Sequence, residues 1–72
     1  MTVLELCSLI RNPKHRNVII HDSESADNEI IFKDSAYNAM LSDFVNCEVF
    51  DFGLVYYGQE AAIDIHIIKE SL

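Results

Sequence analysis

The chain has 72 residues, half of them hydrophobic, and a formal net charge of −7. That length accommodates one domain, residues 1–72, short enough that a disulfide, a metal or self-association is worth seeking as extra support. No apolar run approaches the ~20 residues needed to cross a bilayer, and the acidic balance repels phosphate backbones. Neither a membrane nor direct nucleic-acid binding is therefore expected.

Taken in chain order, the first element is a helix. Thr2 and Glu5 fit a Ser/Thr-x-x-Asp/Glu capping box, with Met1 and Leu6 placed as a hydrophobic staple. Val3, Leu6, Cys7 and Ile10 recur at helical spacing, and Asn12-Pro13 is expected to end the helix. Met1 leads straight into Thr2-Val3-Leu4-Glu5, with no basic and then apolar leader pattern, so a reducing, cytoplasmic setting is expected. Cys7 and Cys47 then read as small core hydrophobes. Arg11, Lys14 and Arg16 follow the helix, where cations complement its dipole.

Asn17–Asp22 reads as a strand and Glu29–Lys33 as its antiparallel partner. Val18, Ile20, Ile30 and Phe32 form the expected core face, with His21 and Ile31 pointing away. The turn between them is acidic. Asp22, Glu24, Asp27 and Glu29 form a candidate acidic strip, and residues 17–72 hold eleven acids against Lys33 and Lys69. The turn is not a calcium loop: Ala26 and Asp27 occupy positions 5 and 6, and Lys33 stands where the bidentate glutamate belongs. His15, His21 and His66 are scattered, with no paired ligand spacing, so neither a metal nor another cofactor is expected.

Asp34 or Ser35 is placed to cap a second helix carrying Ala36, Tyr37, Met40, Leu41 and Phe44 on one stripe and ending near Val45-Asn46. Two β-rich runs, Cys47–Tyr57 and Ala61–Lys69, then meet at Gly58-Gln59, the signature of a two-residue type II′ hairpin. That turn predicts Tyr56/Ala61, Leu54/Ile63, Phe52/Ile65 and Phe50/Ile67 as pairs on a core face. The other face takes Val55/Ala62, Gly53/Asp64, Asp51/His66 and Val49/Ile68. The element order is α-β-β-α-β-β, which implies an α+β fold with a four-stranded, mostly antiparallel sheet packed by two short helices.

Asp51 beside His66 is the nearest approach to a catalytic pair, since a carboxylate can orient an imidazole base. No nucleophile or oxyanion donor is nominated with it, so a cross-strand polar pair is the expectation and an enzyme a remote third reading. Surplus apolar character on the reverse face nominates Val49, Val55, Tyr57 and Ile68 as an interaction surface, left open if both helices share the other face. The leading expectation is a small non-enzymatic interaction protein that binds a protein partner or itself through a sheet face or edge, a homodimer being one form. The alternative is an acidic inhibitor, of the anti-CRISPR or DNA-mimic type, acting on a nucleic-acid-handling protein.

Thr2-Val3-x-Glu5-Leu6, the strands bracketing an acidic turn, Ile31-Phe32 before a short helix with Met40-Leu41, Cys47-Glu48-Val49, and the alternating Ile63, Ile65 and Ile67 together give a likeness. The chain resembles small uncharacterised proteins of bacteriophages and integrated mobile elements. The resemblance implies no particular activity, but an accessory protein acting on a host or phage partner.

Overall fold

The computed structural model describes residues 1–69. Helix α1 spans Val3–Cys7, strand β1 Asn17–Asp22, β2 Ile30–Ser35, helix α2 Ala36–Met40, β3 Glu48–Tyr57 and β4 Glu60–Ile68, with a 3-10 turn at Pro13–His15. The fold is α+β, as the element order implies. The sheet runs β2-β1-β4-β3. Both hairpins are antiparallel, and they are joined through a parallel β1–β4 pair that places Ile20 beside Ile65 and His21 beside His66.

The capping box forms as its residue types require. Glu5 N–H donates to Thr2 Oγ1 and Thr2 N–H donates to Glu5 Oε1. The hydrogen bond from the Thr2 backbone, with a smaller contribution from the Thr2 side chain, holds the Glu5 carboxyl below its ordinary range. Helix α1 is nevertheless shorter than its periodicity. Leu9 and Ile10 N–H bond to the carbonyls of Leu6 and Cys7, three residues back, which tightens the chain out of the α-helix while Ile10 still packs on the core. Asn12 then turns left-handed at φ 56°, ahead of Pro13.

Ser35, not Asp34, caps α2 by accepting from Asn38 N–H. This helix ends at Met40 instead of near Val45, and Ala36 and Ala39 face inward while Tyr37 and Leu41 are exposed. The small residues let α2 lie close to the sheet.

The terminal hairpin keeps the predicted register from Tyr57/Glu60 through Asp51/His66. Gly58 has φ +64°, while Gln59 is not among the positive-φ residues, as a type II′ turn demands. Beyond Asp51 the register shifts, so Val49 pairs with Ile67 and Glu48 with Ile68. Phe50 is the extra residue of a β-bulge, and the predicted Phe50/Ile67 and Val49/Ile68 pairs do not form. The bulge turns Val49 inward, where it packs on the core. The same device operates in β2: a shift after Ile20/Phe32 pairs His21 with Ile30, so Ile31 packs on the core and Ile30 is exposed. Both bulges lie in edge strands.

Both helices pack on one face, over Val18, Ile20, Ile65 and Ile67, with Val3, Leu6, Cys7, Ala36, Ala39 and Cys47 completing the buried cluster. Neither cysteine forms a disulfide, and both are buried. Burial pushes the Cys7 thiol above its ordinary value. Between the unfolded and the raised folded value only the unfolded chain gives up its proton, so ionisation at Cys7 lowers stability as pH rises through that window. Cys7 is accordingly expected to react with a thiol reagent at the rate of unfolding. Rapid labelling of native Cys7, read by mass spectrometry, would contradict its burial.

Candidate functional site

Two surface features stand out, one on each face of the sheet. On the helix-bearing face, α1 and α2 are only five residues each, about 7.5 Å of helix apiece, and they cover β1 and β4 better than the edge strand β3. Phe52, Leu54 and Tyr56 of β3 therefore remain 56%, 61% and 69% exposed, although Ile65 and Ile63, the partners of Phe52 and Leu54, lie in or against the core. Phe50 at the bulge is exposed as well, as is Leu9 beyond α1. Leu6, Leu9, Ile10, Phe52, Leu54 and Ile63 line an open apolar groove of about 390 Å³ between the end of α1 and β3.

This placement corrects the surface expected from sequence. The hairpin register predicts Phe50, Phe52 and Leu54 on a covered core face, yet they carry the exposed apolar surface. Val49 points into the core, Val55 and Ile68 are half-buried, and the side chain of Tyr57 lies outside what the structure describes. Ile19, on the same face of the sheet, is 1% exposed between Lys33 and Asp64 on its neighbouring strands. The reasons are the edge position of β3 and the bulge, which reverses the direction of Val49.

At the start of β3, residues 1–3 lie along its outer edge: Val49 N–H donates to Met1 O and Val3 N–H to Cys47 O, with a bridge between Thr2 and Glu48. From Phe50 to Tyr57 the strand is the last of the sheet. Asp51 is the single charged residue in that stretch, and it has no proline or lysine.

The reverse face carries a polar cluster. Parallel pairing of β1 with β4 sets His21 beside His66, and Asp64 lies two residues before His66 on the same face. His21 Nε2 is 2.5 Å from Asp64 Oδ1, and His66 Nε2 is 3.3 Å from Asp64 Oδ2. The outer nitrogens are also engaged: His21 Nδ1 lies 2.8 Å from the Asn28 carbonyl and His66 Nδ1 2.7 Å from Asp51 Oδ1. The imidazoles meet edge-on with centroids 4.8 Å apart. The side chains of His21 and Asp64 are largely covered, whereas Asp51 is open to solvent. Gly53 stands opposite Asp64 on β3, so no side chain covers Asp64 from that position, while Asp51 two residues earlier meets His66.

The Asp51–His66 pair thus forms as the hairpin register predicts, but it is one end of a longer chain of contacts. His21 and Asp64 were missed as members. Their only sequence signal was alternation, which puts Asp64 and His66 on one face of β4 and His21 on the reverse face of β1.

The turn acids gather at one end of the sheet. Asp22 Oδ1 accepts from Glu24 N–H, Ser25 Oγ accepts from Asp27 and Glu29 N–H, and Ser23 donates to the Ile67 carbonyl through both N–H and Oγ. Asp22 is therefore engaged in shaping the turn, while Glu24, Asp27 and Glu29 are exposed. The acids Asp34, Asp43, Glu48 and Glu60 lie outside this turn, at the end of β2, after α2, and in β3 and β4. Among the described residues no helix is long and apolar enough to cross a membrane. No protein-family model matches the chain, and neither a curated protein nor a solved structure does.

Proposed function

We propose that this chain is a small non-enzymatic interaction protein of the cytoplasm that self-associates through β3. The observation that carries the reading is the conjunction at one strand of an open edge and an exposed apolar strip, Phe52, Leu54 and Tyr56. An edge strand is a template for further pairing, and proteins that stay monomeric protect such edges with lysine, proline or inward charges. From Phe50 to Tyr57 that protection is confined to Asp51 and the bulge. A second copy laid antiparallel along β3 would satisfy backbone groups at the edge and cover apolar side chains in the same contact. A two-fold arrangement requires a single self-complementary patch, and one strand supplies it. An accessory role, as the likeness to small phage proteins implies, is compatible with such an assembly.

Sedimentation across a micromolar concentration series tests the proposal. The wild-type chain is expected to shift from monomer towards dimer mass as concentration rises. Phe52→Lys/Leu54→Lys is expected to weaken association at least ~10-fold with an unchanged circular dichroism spectrum, because both side chains are mostly exposed in the single chain. A wild-type mass that stays monomeric throughout would refute self-association.

A further inference from the structure

We propose that His21, Asp64 and His66 bind one divalent transition-metal ion, zinc foremost, on the sheet face opposite the helices. The donor atoms of the three residues lie within 4.8 Å of one another. Zinc bonds to imidazole nitrogen and carboxylate oxygen are about 2.0–2.2 Å long, so a tetrahedral site needs donors roughly 3.4 Å apart. The separations to Asp64, 2.5 and 3.3 Å, both fall short of that value, the second only slightly, and the His21 contact must widen by side-chain rotation to admit an ion.

Hydrogen-bond bookkeeping points the same way. The Nδ1 partners of the two rings are the Asn28 carbonyl and the Asp51 carboxylate, both acceptors, so each Nδ1 carries its proton. In a neutral ring of that tautomer, Nε2 is a lone pair, and both Nε2 atoms are aimed at the same carboxylate. Lone pairs approach a carboxylate oxygen this closely only with a proton or a cation between them. A dication placed there would serve both Nε2 atoms and the carboxylate at once, with the ring centroids 4.8 Å apart.

The outer contacts are those of a metal-ligating histidine, whose second nitrogen donates to a backbone carbonyl or carboxylate that fixes the ring and raises its basicity. Two imidazoles and one carboxylate suit zinc, copper or nickel better than magnesium or calcium, which prefer all-oxygen shells. Three protein ligands leave a coordination position on the Gly53 side for water or an outside donor. The site lies on the face away from the β3 apolar strip, so it neither requires nor implies self-association.

The test uses the tag-free chain and zinc chloride in competition with a chromophoric chelator. One zinc per chain is expected. His21→Ala and His66→Ala should each weaken binding at least ~100-fold, Asp51→Asn about 10-fold through the loss of its hold on His66, and His15→Ala less than about 2-fold. A readout on the unaltered protein guards against misfolded variants: one equivalent of zinc should move the ring resonances of His21 and His66 and leave those of His15 in place. Cobalt should give a d–d spectrum without thiolate charge transfer. Unmoved His21 and His66 resonances, equal binding by the His15 and His21 variants, or a thiolate band placing the ion on cysteine would each overturn the site.

Discussion

Replacing Ile65 by alanine is expected to lower stability by about 3–5 kcal/mol, at the upper end of the range for removing a large aliphatic side chain from a packed interior. Ile65 is fully buried, lies on the second of the two central strands, and sits between Ile20 of β1 and Phe52 of β3. A domain of this size has roughly 4–11 kcal/mol in total, so the variant should be marginal at room temperature. Its partner makes the control. Phe52→Ala removes more atoms but from a side chain that is mostly exposed, and should cost less than about 1 kcal/mol. Urea unfolding at a fixed, low protein concentration separates the two, since association would add a concentration-dependent contribution. Equal losses at positions 65 and 52 would mean that the helices cover β3 after all, and the apolar strip would vanish with them.

That contrast also marks where sequence reasoning succeeds. The terminal hairpin was legible because Gly58 ties a turn type to a register, and a register determines which residues share a face. It did not tell which face is covered, because coverage depends on helix length and strand order. Helix α1 illustrates the first: Ile10 keeps the apolar spacing and packs on the core, but through 3-10 geometry, so periodicity overstates the helix. The bulges were illegible for a related reason. Val49 and Phe50 are both apolar and both suited to a strand, so alternation cannot say which is the extra residue, and only packing against Ile67 decides it.

The histidine–aspartate cluster was hidden by topology. Asp51 and His66 are joined by a turn that can be read, whereas His21 and His66 are joined by a parallel pairing across the whole second half of the chain. No local signal specifies that pairing; it follows from stacking two hairpins so that Val18 and Ile20 continue the apolar surface of Ile63 and Ile65. The same apolar choice that builds the front core fixes the polar juxtaposition behind it. Spacing rules for metal ligands look along the chain, and here the ligands meet across strands.

Ala39→Leu is expected to destabilise by about 1–3 kcal/mol, the cost of overpacking a filled site. Helix α2 has one and a half turns, too few to be stable in isolation. It is held by the Ser35 cap, by the bond from Ala36 N–H to the Arg16 carbonyl, and by the close seating of Ala36 and Ala39, both 0% exposed, in the core cluster. Ala39 is fully buried, so an isobutyl group there forces the helix to lift from the sheet or neighbouring side chains of the core cluster to leave their rotamers. Leu41→Ala, one residue past the helix and mostly exposed, should change stability by less than about 0.5 kcal/mol. Chemical denaturation of the pair reads this difference. A leucine at 39 that is neutral would show that α2 stands off the sheet. Sparing β3 depends on its not doing so: a five-residue helix anchored by alanines packs over β2 and β1, and the edge strand at the far side of the sheet is the one proposed to meet a second copy.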